Sequence, residues 1–413
     1  MSTSFTPTKG RTAKDLLPVV IGGDIGAYAL GLEMFEAYGV RSIVLSANPV
    51  AVIKHSKIMV PHYIHRHPTD DELVGALLKL GKLNPSKAIV LLSNNDASVG
   101  VLVRNRGRFG SQFVVPYPHE GVVARLGDKA AFARLCGDVG VRTPRTQVVD
   151  LAGLGGRSWK APEVEVGYPL VAKPALQAQW EGVEVEGKRK VYFLDAPADV
   201  DRLWGSLAEA GFTGKFVLQE YIPGDDTYLR SMTFYVDSNG RPTLQAGARV
   251  LLQDPTPMMV GNPIAMITDP LMAFAPAALR VLRASAYRGF ANFDIKLHPE
   301  TWEPYFLEVN PRPGRNSYYV VAGGVNPMQV MVDDLYFGEH RALAVAWRKA
   351  LYSLIPLSLI REHVHSPFIS AEATGLAEVG LLVDPLKSPF ETHPKRWLAV
   401  QAQRLNWHRK LGA

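Results

Sequence analysis

The chain reads as an α/β region passing into an α+β region with a helical C-terminal extension, and three observations predict it. In the first 125 residues strand-like apolar runs alternate with helically spaced ones. From Tyr168 onward short alternating strands follow one another between Gly, Pro and Asp turns. Beyond residue 340 helical spacing returns and ends in a basic tail. β-α-β alternation implies a parallel, doubly wound sheet, and short alternating strands with tight turns imply antiparallel pairing. At 413 residues, and with roughly 100–200 residues per domain, the expected divisions are 1–125, 126–340 and 341–413.

In order, DLLPVVIGG is a buried strand ending in glycines, and DIGAYALGLEMFEAYG is a helix that stops at Gly39. SIVLSA is a second strand, Asp70 to Leu80 a helix with acids in its first turn, and KAIVLLSNND a third strand. The glycines at 22, 23, 26 and 31 do not match G-x-G-x-x-G, which argues against a nicotinamide cofactor. EGVVARLGDKAAFARLCGDVG suits a helix capped by Asp128 and ended by Gly140, after which the proline of VRTPRT forbids more helix. Strands follow in YPLVAKPA and KRKVYFL, then a helix from Ala198 to Ala210, then strands in KFVLQEYIPG, YLRSMTFYVD and TLQAGARVLL. PLMAFAPAALRVLRASAYRGF reads as a helix ending near Gly289, RALAVAWRKALYSL as another, and HPKRWLAVQAQRLNWHRK as a basic amphipathic one.

Composition narrows the class. With 47% hydrophobic and 20% charged residues the chain is globular and not disordered. No apolar run reaches the roughly 18 residues of a membrane span, and the polar opening MSTSFTPTKGRTAKD does not suit a signal peptide, so a cytoplasmic location is expected. The single Cys136 excludes internal disulfides and multi-cysteine metal sites. A net charge of +6 suits small anionic ligands better than nucleic acid. Arg104, Arg106 and Arg108, and the C-terminal Lys395, Arg396, Arg404, His408, Arg409 and Lys410, read as solvated faces. Monomer and homo-oligomer both remain open.

One segment concentrates chemistry. NFDIKLHPETWEPYFLEVN, residues 292–310, suits a hairpin turning at His298 to Pro304. A register symmetric about Thr301 sets Asp294 opposite Glu308 and Asn292 opposite Asn310, on one face because side chains alternate. Facing carboxylates repel unless a cation lies between them, and an all-oxygen set suits Mg²⁺ or Mn²⁺ over zinc. The competing reading pairs these acids with Lys296, Arg312 or Arg315. Mg²⁺ usually completes its shell with substrate phosphates, so the metal reading also predicts a nucleotide. No Walker-type loop is present; Lys173, ending an apolar strand, and Lys129, opening a helix, are the available phosphate binders. His65/His67 and His363/His365 lack a third zinc ligand in sequence. Asn94, Asn95 and Asp96 end the third strand, where open α/β sheets present either ligand groups or turns.

LVAKP, then LQEYIPGDD, then NFDIK and FLEVNPRPGR resemble the ATP-grasp ligases in type, order and spacing across roughly residues 120–335. IGGDIGAYALGLEMFEAYG, HSKI, IPGDDTYLRSMTFY, PTPMMVGNP, GFANFDIK and EVNPRPGRNSYYVVAGGVNP extend the likeness to the D-aspartate ligase group of carboxylate–amine ligases. The resemblance implies an ATP-grasp fold preceded by a Rossmann-like domain, with a hinge near 219–226, using ATP and Mg²⁺ or Mn²⁺. It implies that Lys129 and Lys173 contact adenine and phosphates, that Gln219 and the backbone of Glu220 and Ile222 meet the base edge, and that Asp226 meets the ribose. Asp294, Glu308 and Asn310 would hold the metal. Arg249, on a strand facing the site, and Arg312 would act on the transferring phosphoryl group; Asp24, Arg315 and Asn316 would shape the substrate pocket. The chain departs from the family between Lys173 and Tyr192, where PALQAQWEGVEVEGKRKV carries only Gly182 and Gly187. A loop closing through Trp180 and the Lys188, Arg189, Lys190 cluster replaces the glycine-rich cover.

Such a ligase phosphorylates a carboxylate with ATP and passes the acyl group to an amine, which needs positioned cations and a lid but no nucleophilic side chain. The implied substrates are a small carboxylate and a small amine, with D-aspartate and a peptidoglycan-precursor amine as the leading pair. The alternatives are a dipeptide or natural-product amide ligase, a carbamoyl or acyl phosphate synthase, and a non-catalytic ATP-binding regulatory protein.

Overall fold

The computed structural model describes residues 10–156, 159–176, 179–180 and 182–412. The expectation for the extreme N-terminus therefore lies mostly outside the described residues. The first region is a parallel sheet in the order β3-β2-β1-β4-β5, built from β1 (Leu16–Ile21), β2 (Ser42–Ser46), β3 (Met59–Tyr63), β4 (Ala88–Leu92) and β5 (Phe113–Val114). β3 and β5 were not legible in sequence, because one is split by Pro61 and the other is two residues long. α1 (Ile25–Tyr38) follows β1, and its N-cap Asp24 accepts a hydrogen bond from Ala27 N at 2.9 Å. α3 (Asp70–Leu83) begins with a capping box from Thr69 and Glu72; between these helices lies the short α2 (Ala51–Lys54), and α4 (Asp96–Arg104) follows β4. The strand order reverses between β1 and β4, which makes the crevice beyond their C-terminal ends the ligand position of an open α/β sheet.

α5 (Glu120–Gly127) and α6 (Lys129–Asp138) are separate helices broken at Asp128, which caps α6 by accepting from Ala131 N at 2.7 Å. A small antiparallel sheet follows in the order β6-β9-β7-β8: β6 (Thr146–Asp150), β7 (Leu170–Pro174), β8 (Tyr192–Leu194) and β9 (Lys215–Glu220). With α7 (Pro197–Glu209) it closes over Trp180, Trp204, Phe212 and Phe216.

The large sheet runs β14-β13-β10-β11-β12-β16-β17, with β15 paired to β11: β10 (Leu229–Val236), β11 (Pro242–Gln253), β12 (Pro263–Thr268), β13 (Gly289–Leu297), β14 (Pro304–Asn310), β15 (Ala344–Val345), β16 (Leu351–Ser353) and β17 (Leu382–Val383). α8 (Ala275–Ala284) ends five residues before Gly289, whose φ of +96° opens β13. RALAVAWRKALYSL is not helical. Its helical spacing is overridden because β16 pairs with β12, which buries Leu351, Tyr352 and Ser353 and covers a sheet edge. Short helices α9 (Tyr319–Ala322), α10 (Pro327–Val332) and α11 (Leu357–His363) precede α12 (Pro367–Glu378) and α13 (Pro394–Leu411). The basic clusters are only partly solvated: Arg396 is 2% exposed and pairs with Glu391 at 3.5 Å, and Arg106 donates to the carbonyls of Val115, Tyr117 and Pro118. Among the described residues no helix is long and apolar enough to cross a membrane.

Candidate active site

The floor of the site is the β13–β14 hairpin. Asn292 pairs with Asn310 and Asp294 with Glu308, as alternation and a symmetric turn require. Just past Asp294 the register slips, so Ile295 faces Phe306 and Leu307 is left as the extra residue of a bulge. Leu307 consequently lines the cleft beside Glu308. Asn310 links the acids to the following loop: its Nδ2 donates to Asp294 Oδ2 at 3.2 Å, and its Oδ1 accepts from Arg312 Nη2 at 3.3 Å. Asn292 is a support beneath the site, because its Oδ1 accepts from Ser231 Oγ at 3.2 Å and Thr233 Oγ1 at 2.9 Å. Tyr319 OH donates to Thr233 Oγ1 at 2.8 Å, which extends the support into the core.

Three lysines surround this floor. Lys173 ends β7, Lys129 is the first residue of α6, and Lys190 precedes β8; all line the cleft with Asp294 and Glu308. None has a carboxylate within ion-pairing distance among the described residues. Burial pushes the Lys173 ammonium down to about 8, with Glu308 opposing the shift and Lys129 and Lys190 adding to it. Burial alone would raise the carboxyl of Glu308, yet Lys129, Lys173, Lys190 and Arg312 together hold it well below the usual range. Asp294 moves the other way, through burial and then the charge of Glu308. The two facing carboxyls are thus driven apart in their titration, and a divalent cation between them would let both ionise. Two carboxylates and an amide give an oxygen donor set that fits Mg²⁺ or Mn²⁺.

Apolar side chains shape the inner end of the cleft: Val171, Ile222, Leu229, Val250 and Leu307. Gln219, Glu220, Tyr221 and Ile222 run along it where β9 gives way to the 221–226 segment. Gln219 turns its amide inward, with Nε2 donating to Thr146 Oγ1 at 3.0 Å. The backbone N–H of Glu220 is spent on Arg145 O at 2.9 Å, whereas that of Ile222 has no partner among the described residues. Asp226 stands behind the lining, accepting from Gln253 N at 2.8 Å and Gln253 Nε2 at 2.6 Å, and Gln253 itself reaches the cleft.

Arg249 is not brought to the cleft. It pairs with Arg230 across β10–β11, one residue out of phase with the Ser231–Ala248 pair that adjoins Asp294. Its guanidinium binds Glu372 of α12 at 3.2 Å. Arg230 lines the cleft instead, and burial followed by the charge of Arg249 lowers it to about 10. Sequence reasoning missed Arg230, although it stands within IPGDDTYLRSMTFY.

The loop after β14 closes against the sheet-switch crevice. Arg312 makes a two-point pair with Asp96, Nε to Oδ1 at 2.9 Å and Nη2 to Oδ2 at 3.2 Å. Arg315 Nε donates to Asp24 Oδ2 at 2.8 Å, and Asn94 Nδ2 approaches the same carboxylate at 3.3 Å. This approach depends on glycine: a Cβ on Gly26 would lie 2.1 Å from Asn94 Nδ2 and 2.9 Å from Arg315 Cα. Asn95 instead caps α4 by accepting from Ser98 N at 3.0 Å. Asn316 is buried, with Nδ2 3.0 Å from Met266 Sδ. Beside it Glu33, which sequence reasoning did not single out, accepts from Ser317 Oγ at 2.7 Å, and burial pushes its carboxyl up to about 8.

The expected cover is partly described, since residues 177, 178 and 181 lie outside the described residues. Trp180 is not a flap residue: it is fully buried, and its Nε1 donates to Arg189 O at 2.9 Å. Lys188 lies over its ring at 5.3 Å, so the cation cluster is anchored from below. Lys190 N donates to Pro257 O at 3.1 Å, tying the cover to the 254–262 loop.

No family model matches the chain. It is 27% identical over 329 residues to a D-aspartate ligase of Enterococcus faecium, covering 79% of this chain and 78% of that protein. With a D-alanine–D-alanine ligase of a Polaromonas species it shares 21% identity over 271 residues, 61% of this chain and 77% of that one. The N5-carboxyaminoimidazole synthetase of Staphylococcus aureus, solved in complex with ADP, superposes with a TM-score of 0.58 at 13% identity over 81% of each chain. The superposition with the synthetase shows that the two chains share a fold. The chain is an ATP-grasp protein of the ATP-dependent ligases that form C–N bonds, similar over most of its length to D-aspartate ligase.

Proposed function

We propose that the chain joins D-aspartate to an amine of a peptidoglycan precursor through an acyl phosphate, in the cytoplasm. The observation that carries the ligase chemistry is the facing pair Asp294–Glu308 beneath Lys129, Lys173 and Lys190, a frame for a nucleotide triphosphate and a divalent cation. Mg²⁺ held by Asp294, Glu308 and Asn310 would neutralise charge on the transferring phosphoryl group. The lysines hold the phosphates, the N–H of Ile222 meets the base edge, and Arg230 approaches from β10. Residues 1–125 and 126–340 act as the substrate-side and nucleotide-side domains, residues 341–413 brace both, and 219–226 serves as the hinge.

In the first step a carboxylate oxygen attacks the γ-phosphorus and ADP leaves. In the second the amine nitrogen attacks the acyl carbon, phosphate leaves with the former carboxylate oxygen, and the nitrogen loses a proton. Arg312 meets the charge that develops on oxygen, a role supported by its contact with Asn310.

D-Aspartate is favoured by the 27% identity to a D-aspartate ligase and by the crevice chemistry. Asp24 offers an acceptor for an ammonium, and Arg312 and Arg315 offer two cations for two carboxylates. A panel of D- and L-amino acids crossed with peptidoglycan-precursor amines, read by ADP release and product mass, tests it. D-Aspartate should lead by at least about 1.4 kcal/mol, tenfold in kcat/KM. Equal use of D-alanine or an L-amino acid would exclude D-aspartate and leave the ligase class standing.

A further inference from the structure

We infer that Asp237, Asp334 and His340 form a second divalent-cation site, suited to Zn²⁺, that pins the β10–β11 turn to the segment after α10. Asp237 follows the last residue of β10, Asp334 lies in the helical turn 333–337, and His340 in the loop beyond it. One ligand atom from each, all within 4.8 Å of one another, converges from the β10–β11 turn and the segment after α10. The Asp237 and Asp334 side chains are 0% and 3% exposed, whereas His340 is 38% exposed. No lysine or arginine pairs with either acid among the described residues. Arg341 is committed to Asp333 and Glu339, and Arg288 to the carbonyls of Ser238, Ala286 and Tyr287.

A separate observation points to a ligand. Asp237 Oδ1 accepts from Arg241 N at 2.7 Å, but Oδ2 is buried with no hydrogen-bond partner and is aimed at His340 Nδ1. An unsatisfied buried carboxylate oxygen is costly unless a cation meets it. His340 Nδ1 stands 3.7 Å from Asp237 Oδ2 and 3.5 Å from Asp334 Oδ1, longer than a good N–H···O bond. Donors sharing a tetrahedral zinc with bonds of about 2.0–2.2 Å lie roughly 3.3–3.6 Å apart, close to these separations. Asp334 is oriented for the role, accepting from Tyr235 OH at 2.8 Å and from Ser238 N at 2.9 Å through Oδ2, and from Ser238 Oγ at 2.6 Å through Oδ1. The exposed imidazole leaves a fourth position to water. The site lies at the end of β10 remote from the ATP cleft, so its role is to hold the turn.

The test uses the full-length Glu308→Gln protein, in which the cleft's own cation site is impaired, stripped with a chelator and then given Zn²⁺. Metal content after desalting and melting temperature are the readouts. Roughly one equivalent of zinc should be retained and the melting temperature should rise. Adding His340→Ala, a change at a half-exposed position that does not threaten folding, should remove both effects and weaken binding at least about tenfold. Asp237→Asn should do the same with the side-chain volume kept. No retained zinc, or zinc retained equally after His340→Ala, as exposed His65 and His67 would hold it, overturns the site.

Discussion

The ATP cleft and the crevice beside it both gather cations and acids, but they handle them differently. In the cleft Lys129, Lys173 and Lys190 converge without ion-pair partners among the described residues. In the crevice Arg312 and Arg315 are already paired, with Asp96 and Asp24. Unpaired cations held by the fold are preorganised for an anion that arrives from outside, and they repel one another until it does. Paired arginines first hold two regions together and must exchange partners to meet a substrate. Under the proposed function the difference separates the nucleotide cleft, whose lysines lack ion-pair partners among the described residues, from the substrate crevice, where the arginines tie the N-terminal sheet to the hairpin loop.

The contrast can be broken most severely at the acid pair. Glu308→Gln should lower ADP formation at least about 10³-fold, more than loss of a single charged donor usually costs, with the melting temperature little changed. Near-normal turnover would remove the metal assignment. Next, Lys173→Met should cost roughly 10²-fold in kcat/KM, while Arg249→Met should cost less than about fivefold in ADP formation because that guanidinium binds Glu372 outside the cleft. A smaller effect is expected in the crevice. Asp96→Asn weakens the hold on Arg312, and KM for the carboxylate should change by about two- to fivefold with KM for ATP unaffected; the reverse pattern would place Arg312 in the nucleotide site.

An effect of a different kind is on pH. Lys173 is held at about 8, below its ordinary 10.5. The unfolded chain therefore binds more protons in that window, and stability attributable to this group rises with pH between the two values. Nucleotide affinity runs the other way, because phosphates bind the ammonium: above about pH 8 it should fall by up to roughly tenfold per pH unit. Lys173→Arg, which stays charged, should flatten that fall. A slope unchanged by this substitution would assign the pH dependence elsewhere.

How much of this was legible in sequence varied with the range of the interactions. Asp294 and Glu308 were readable because strand alternation and a symmetric hairpin are local rules, and the bulge that spoils the symmetry falls on the turn side of both. Lys129 and Lys173 both line the cleft, but their positions at element ends made them only available phosphate binders, and the family resemblance singled them out. Arg230 and Arg249 face each other across β10 and β11 and so share one face of the sheet; only the partner Glu372, more than a hundred residues away in sequence, draws Arg249 off the cleft lining. Residues 341–354 were misread because a helical apolar period says nothing of an uncovered edge on β12. The pairings of Asp24 and Asp96 with Arg315 and Arg312 span two regions, which no periodicity reports.

Ligation through an acyl phosphate is tested most directly by oxygen transfer. With D-aspartate labelled by ¹⁸O in its carboxylates, and with ATP, Mg²⁺ and an accepted amine, the phosphate released should carry one labelled oxygen for each amide formed. Amide formed with unlabelled phosphate would contradict the account.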